Sequence, residues 1–94
     1  MVLAYVLITV RGEDATRVAQ ELTGHDEVAS LHLVYGEFDI IARLKTKNMI
    51  DLREFTINKL LKVKGIEKTT TLIVADITKE NDTKKGKSKY EDLE

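Results

Sequence analysis

The stretch Val28-Ala-Ser-Leu-His-Leu-Val-Tyr-Gly-Glu-Phe-Asp-Ile-Ile-Ala-Arg-Leu-Lys45 decides the fold. Two segments rich in β-branched and aliphatic residues, Val28 to Tyr35 and Phe38 to Lys45, predict two strands. Only Gly36 and Glu37 lie between them, and so short a link permits an antiparallel hairpin but not the crossover that parallel strands need. The centre of the chain is therefore predicted to be a β-hairpin.

A strand and a helix are predicted before this hairpin. The segment from Val2 to Val10 is apolar at nearly every position, as in a strand buried on both faces. Asp14 can cap a helix that ends at Gly24, whose glycine can adopt the left-handed conformation. The helical repeat between them consists of Ala15, Val18, Ala19 and Leu22.

A helix and a strand are also predicted after the hairpin. Asn48 can cap this second helix, and Lys64-Gly65 ends it. A long fourth strand then runs from Ile66 to Ile77. The apolar side of the helix is predicted to consist of Met49, Leu52, Phe55, Ile57, Leu60 and Leu61.

The resulting order is β-α-β-β-α-β, which is the ferredoxin-like arrangement of the α+β class. Right-handed crossovers place both helices on one face of a four-stranded antiparallel sheet. Alternation places Val2, Ala4, Val6, Ile8 and Val10 opposite Leu3, Tyr5, Leu7 and Thr9, and it places Ala29, Leu31, Leu33 and Ile41 opposite Val28, Val34, Phe38, Ile40 and Leu44. The face without helices would then carry on the order of ten apolar side chains, more than a soluble monomer usually exposes. A face-to-face dimer of sheets is predicted.

The chain divides into one domain and a tail. Residues 1–77 are predicted to form the domain, and residues 78–94 to be a charged, disordered tail whose only large apolar residues are Tyr90 and Leu93. A length of 94 residues leaves no room for a second globular unit such as a DNA-binding head.

The composition excludes several classes of protein. Lys and Arg number 15 and Asp and Glu number 16, and a net charge of -1 argues against direct binding to nucleic acid. The absence of cysteine excludes disulfides, thiolate zinc sites and thiol catalysis. No apolar run is long enough to span a membrane, and no basic segment precedes the first strand, so a cytoplasmic protein is expected. Abundant Lys and Glu without Cys or Pro would suit a thermophile.

The histidines do not indicate catalysis or a metal site. His25 is predicted to be solvated in a turn, and His32 to be an interface residue that shares a face with Val28, Ser30 and Val34. No three metal donors occur at motif spacing, and neither a catalytic triad nor a phosphate-binding loop is present. The expectation is no enzyme, no cofactor and no metal.

Two short motifs could bind a small molecule. Gly36 in the hairpin turn allows close backbone approach, and Asp39 offers a fixed carboxylate. Thr69-Thr70-Thr71 opens the fourth strand and offers hydroxyl groups. Turn chemistry and β-propensity explain each motif taken alone. Together they match a free amino acid, which needs an anion for its ammonium and donors for its carboxylate.

The sequence resembles the effector-sensing RAM domain of the Lrp/AsnC (feast/famine) transcriptional regulators. The matching features are Val34-Tyr-Gly-Glu-Phe-Asp-Ile-Ile41, the Leu52…Phe55…Leu60 helix and Val63-Lys-Gly-Ile-Glu-Lys-Thr-Thr-Thr-Leu-Ile-Val74. In that family the sheets of two subunits pack together, dimers form octamer-like rings, and effectors, mostly amino acids, bind between dimers. The resemblance implies a pocket lined by Tyr35, Gly36, Asp39, Thr69 and Thr71, with Val34 and Thr70 nearby.

One departure from the family changes the implied role. Family members usually carry an N-terminal helix-turn-helix, whereas this chain begins at the first strand. The resemblance therefore implies a stand-alone sensor that modulates transcription indirectly, by assembling with full-length Lrp/AsnC regulators.

Three alternatives remain open at this stage. The first is an assembly adaptor without a small ligand, which co-oligomerises with full-length regulators. The second is a dimeric α+β-barrel enzyme with His32 or Tyr5 in a cleft between sheet and helices. The third is an ACT-type amino-acid-binding domain, which shares the element order and has its glycine signal after the first strand, where Gly12 lies.

Overall fold

The computed structural model describes residues 1–75 and has the predicted order of elements. These are β1 (Val2–Val10), α1 (Ala15–Thr23), β2 (Val28–Leu33), β3 (Ile40–Thr46), α2 (Met49–Asn58), a short 3-10 helix (Leu60–Lys62) and β4 (Ile66–Ile73). The predicted α+β class and ferredoxin-like fold are confirmed. No helix within this part of the chain combines the length and the apolar character that crossing a membrane requires.

The four strands form one antiparallel sheet in the order β2-β3-β1-β4. The first strand is central because it pairs with both β3 and β4. Ile8, for example, lies opposite Ile40 on one side and Thr69 on the other. The antiparallel β2–β3 hairpin is confirmed, but its predicted two-residue link is wrong, because six residues, 34–39, connect the strands. β2 forms one end of the sheet order, and β4 forms the other.

Both helices lie on one face of the sheet, as the right-handed crossovers predict. Ala4, Val6 and Ile8 are completely buried, whereas Tyr5 between them is 38% exposed. Burying an aliphatic side chain of this size contributes about 1.5–3 kcal/mol, so this face holds the core. The core also includes Val10, Val18, Ala19, Leu22, Ile40, Ala42, Leu44, Leu52, Phe55, Leu60 and Val63.

A register shift in β2 overturns part of the predicted face assignment. The pairing of β2 with β3 shifts between Val28 and Ser30, as in a β-bulge. Leu31 consequently pairs with buried Ala42 on the helix face, while His32 pairs with Ile41 on the other. The predictions that Leu31 and Leu33 share a face with Ile41, and that Val28 shares a face with His32, are wrong because one extra residue reverses the alternation.

The face of the sheet turned away from the helices, here called the open face, is less apolar than predicted. Its apolar residues are Leu3, Tyr5, Leu7, Ile41 and Leu72. Its other strand residues are Thr9, Ser30, His32, Arg43, Lys45, Lys68 and Thr70. An apolar centre is therefore flanked by polar and basic side chains.

Two predicted features of α1 differ in the structure. The side chain of Asp14 makes no capping hydrogen bond, and its Oδ2 lies 3.2 Å from Nη2 of Arg17 instead. Gly24 has a right-handed conformation, with φ of -77°, and its N–H donates to the carbonyl of Glu21. An ordinary helical turn therefore ends α1 without the left-handed glycine that was predicted.

The second helix is capped as predicted but ends earlier. Oδ1 of Asn48 accepts a hydrogen bond from the N–H of Asp51 at 2.8 Å. The α-helix stops at Asn58, and the 3-10 helix that follows has a tighter period. Leu52, Phe55 and Leu60 are buried, but the other three residues of the predicted apolar side, Met49, Ile57 and Leu61, are about half exposed.

The fourth strand is shorter than predicted. Its ladder ends at Ile73, and beyond it the N–H of Val74 donates to the carbonyl of Leu3 at 2.9 Å. The predicted end of the strand at Ile77 and the predicted tail, residues 78–94, lie outside the described residues.

Candidate functional site

The predicted turn motif lies in the connection between β2 and β3, residues 34–39. Gly36 has a φ of +131°, a conformation that residues with a Cβ rarely adopt. The N–H of Val34 donates to the carbonyl of Asp39 at 2.9 Å and closes the connection. Tyr35, at its tip, is fully exposed. The connection therefore presents backbone groups and an aromatic side chain to solvent.

Asp39 ties this connection to the end of β1. Its Oδ2 accepts a hydrogen bond from the N–H of Val10 at 2.7 Å, and its own N–H donates to the carbonyl of Ile8 at 2.8 Å. These two bonds hold the half-buried carboxylate in one position. Oδ1 of Asp39 has no hydrogen-bond partner among residues 1–75.

A cavity of about 250 Å³ adjoins this carboxylate. Three predicted site residues line it, namely Val34, Tyr35 and Asp39, together with Ala15 and Leu33. Ala15 and Leu33 could not be selected from the sequence, since only the packing of the start of α1 beside the end of β2 brings them to this place. Leu33 is half exposed although its strand neighbour Ile40 is completely buried.

The threonine motif is not part of this cavity. Thr69 pairs with Ile8 and Thr71 with Val6, so both lie on the helix side of β4, whereas Thr70 pairs with Leu7 on the open face. Because β1 lies between β3 and β4, Thr69 is two strand spacings, about 10 Å, from Ile40. Within one chain, the turn motif and the threonine motif therefore lie apart, although together they were predicted to bind one small molecule.

A cavity of about 520 Å³ lies beside α2 and is lined by residues of both charges. There Nζ of Lys59 lies 3.3 Å from Oε2 of Glu27. Partial burial raises the pKa of the Glu27 carboxyl. Four effects outweigh this and lower the pKa, namely its backbone hydrogen bond, the hydrogen bond from Lys59, the charge of Lys59 and the charge of His25. The net result is a pKa below the usual 4.5.

The histidines lie in different surroundings. His25 lies in the predicted turn, but it is only partly exposed, and its ring packs edge-on against Phe55 with 5.6 Å between ring centroids. His32 lies on the open face beside a cavity of about 250 Å³ that Tyr5 and Arg43 also line. The prediction of a cleft between sheet and helices for His32 or Tyr5 is wrong, because both lie on the opposite face. In the described part of the chain, no group of His, Asp or Glu side chains could hold a metal ion.

Comparisons with known proteins agree on one family. A family model described as the Lrp/AsnC ligand binding domain matches residues 3–83. The HTH-type transcriptional regulator FL11 of Pyrococcus furiosus is 30% identical over 79 residues, which are 84% of this chain and 52% of that protein. The chain thus spans about half the length of the curated relatives it matches.

Solved structures give the same answer for the fold. The crystal structure of FFRP-DM1 has a TM-score of 0.77 and 32% identity, covering 79% of this chain and 99% of that one. The crystal structure of hypothetical protein PHS023 from Pyrococcus horikoshii has a TM-score of 0.78 and 31% identity, covering 82% of this chain and 93% of that one.

Proposed function

Because this chain belongs to the Lrp/AsnC ligand-binding domain family, we propose that it binds a small effector, an amino acid, and converts binding into a change of assembly state. The family resemblance and the expectation that the chain is not an enzyme are confirmed, since the matched family is a ligand-binding domain and the relatives are named transcriptional regulators. The proposed module comprises residues 1–77 and acts in the cytoplasm, where its regulator partners bind DNA.

The observation that carries this proposal is the position of the Asp39 carboxylate beside the cavity at residues 34–39. Oδ2 is held by the N–H of Val10, so Oδ1 remains to accept a hydrogen bond from an ammonium group. Backbone N–H groups around Gly36 can donate to a carboxylate, and Leu33 and Val34 supply apolar walls. A cavity of about 250 Å³ suits a small zwitterion.

Two features support a site that needs more than one subunit. Tyr35 extends from the connection and is fully exposed in the part of the chain that the structure describes. The threonines lie on an edge strand and do not line this cavity, and Thr69 is two strand spacings, about 10 Å, from Ile40, the residue after Asp39. We therefore place Val34, Tyr35, Gly36 and Asp39 of one subunit against Thr69, Thr70 and Thr71 of another.

The open face supports a dimer as the unit that assembles. Leu72 lies opposite Tyr5, and Leu7 lies opposite Ile41, so the apolar residues are adjacent across three strands. Packing the sheet of a second copy against them removes this surface from water. An effector bound between such dimers favours the higher oligomer, which is octamer-like in our proposal, because it contacts two dimers there and only one when they separate.

Native mass spectrometry of the 94-residue chain, with and without a pool of the twenty amino acids, tests both parts of the proposal. The expected result is a dimer that shifts to a higher oligomer carrying bound amino acid. Calorimetry with single amino acids then identifies the ligand. Asp39→Asn should remove the heat of binding because it removes the negative charge, and Glu37→Gln in the same connection is the matched control. A stable monomer at micromolar concentration, or no bound amino acid, would contradict the proposal.

One observation favours a second candidate, an assembly adaptor that co-oligomerises with full-length Lrp/AsnC regulators and binds no ligand. The hydrogen bond from the N–H of Val10 gives the Asp39 carboxylate a purely structural use. Co-assembly with a full-length relative distinguishes the candidates: the adaptor predicts a mixed oligomer that amino acids and Asp39→Asn leave unchanged.

A further inference from the structure

A second group of polar side chains lies on the open face, across the sheet from the helices. Tyr5, Ser30, His32 and Arg43 surround a cavity of about 250 Å³ whose fifth lining residue is Ile41. These side chains come from three adjacent strands, because Arg43 pairs with both Tyr5 and Ser30, and His32 pairs with Ile41. The cavity shares no lining residue with the one beside Asp39.

The cavity offers hydrogen-bond donors and no negative charge. Arg43 presents a guanidinium with five N–H groups, and Tyr5, Ser30 and His32 can each donate as well. None of the open-face residues in the strand pairs around this cavity is acidic in the described part of the chain, and Lys45 adds positive charge on the same face. Glu67, at the register shift of β4, pairs with Arg11 instead. The electrostatic potential over this cavity is therefore positive.

Among the described residues, the guanidinium of Arg43 has no carboxylate partner. Within residues 1–75 this guanidinium makes one long hydrogen bond, from its Nε–H to Oγ of Ser30 at 3.5 Å, and no ion pair. Burying an unpaired charge is costly, so sheet-to-sheet packing of two copies makes an anion at this place more favourable.

We propose that the cavity formed by Tyr5, Ser30, His32 and Arg43 binds the carboxylate of a small organic acid. The planar guanidinium matches the two oxygens of a carboxylate, and Ile41 with the ring of Tyr5 accommodates a short aliphatic chain. The carboxylate comes from a free acid or from the acidic end of the chain itself, Glu91-Asp92-Leu93-Glu94. This site lies apart from the proposed amino-acid site. It is on the face that the proposed function packs against a second copy, so in such a dimer the acid lies between the two sheets.

Nuclear magnetic resonance of the full 94-residue chain tests the site directly. Butyrate is the probe, and butyramide of nearly the same shape is the uncharged control, both at constant ionic strength. The Nε–H signal of Arg43 and the amide signal of Ile41 should shift saturably with butyrate and not with butyramide. Equal shifts with both compounds, or no shift with either, would overturn the proposal.

Variants separate a built site from a diffuse positive surface. Arg43→Gln should weaken butyrate binding at least about tenfold, because the charged, two-point contact is lost. Lys45→Gln removes one positive charge two residues away on the same strand and face and should leave binding within about twofold. Equal weakening by both variants would show general attraction of anions and would contradict a specific site.

A further variant identifies the source of the carboxylate. If the end of the chain occupies the site, Glu91→Gln/Asp92→Asn/Glu94→Gln shifts the Arg43 signal without any ligand and strengthens butyrate binding. If a free acid occupies it, the variant leaves both unchanged, and either result supports the site. Sedimentation of the same samples separates the carboxylate site from the proposed dimer. A monomer whose Arg43 signal responds to butyrate would refute sheet pairing and would still support the carboxylate site.

Discussion

The carboxylate of Asp39 accepts a hydrogen bond from the backbone N–H of Val10 at 2.7 Å, across a separation of 29 residues. Val10 is the last residue of β1, where the ladder with β3 has already ended. A side chain thus satisfies a backbone donor that the sheet leaves unpaired, and it holds the connection between β2 and β3 against the centre of the sheet. The candidate ligand-binding carboxylate is therefore also a structural group.

Asp39→Ala should destabilise the fold by about 1–3 kcal/mol, because the N–H of Val10 at a nearly buried position loses its acceptor. Asp39→Asn should cost less, since its amide oxygen can still accept this bond. Chemical denaturation of both variants measures the difference. Equal losses of stability would show that the negative charge, and not the hydrogen bond, stabilises this connection.

Gly65→Ala should destabilise the fold more than Gly36→Ala. Both glycines have positive φ, +101° and +131°, so a side chain strains the backbone at either position by about 1–3 kcal/mol. At Gly65 the added Cβ would also lie 2.8 Å from Nη2 of Arg17 and 2.9 Å from Oδ2 of Asp14, whereas at Gly36 it meets nothing within 4 Å. Thermal unfolding of the two variants decides the order, and a larger loss for Gly36→Ala would contradict it.

Asn48→Ala should reduce stability by about 1 kcal/mol, because the N–H of Asp51 loses the side-chain acceptor that caps α2. Asn48→Asp should retain stability, since it keeps an acceptor and adds a negative charge at the helix N-terminus. Asn58→Ala, at the other end of the helix, is the control, because it removes only an exposed side-chain hydrogen bond to Glu54 and no cap. Urea denaturation provides the comparison.

Glu27→Gln should lower stability at neutral pH, and the difference should vanish in acid. The pKa of Glu27 is lower in the folded chain than its usual 4.5, so folding favours the charged form. This contribution is fully present above pH 4.5 and is lost as the pH falls through the lower folded value. Denaturation of both proteins across this range tests it, with Glu67→Gln, whose ion pair with Arg11 is 3.8 Å long and exposed, as the control. A difference that persists at low pH would exclude the ionic explanation.

Much of the fold could be predicted from local patterns. The apolar alternation of β1, the repeat from Ala15 to Leu22 and the cap at Asn48 each report on neighbours within a few residues. The bulge near Ala29 could not be predicted in this way, because it arises in the pairing of two strands and leaves no local signal. It moves Leu31 and Leu33 to the helix face and leaves His32 beside Ile41.

The candidate site likewise has features that local sequence patterns predict and features that only the tertiary structure shows. Gly36 and Asp39 could be selected from the sequence because a turn needs such residues, but the bond from Asp39 to Val10 and the cavity walls at Ala15 and Leu33 depend on contacts between distant segments. The sequence alone determined the order of helices and strands, the presence of a sheet face without helices, and the family resemblance, since these depend on periodicity and short motifs. Only the tertiary structure decided that the threonines and Asp39 lie on opposite sides of β1 and that Arg43 faces a cavity that no carboxylate of residues 1–75 lines. Strand order and register place residues in space, and neither is written in any short stretch of the chain.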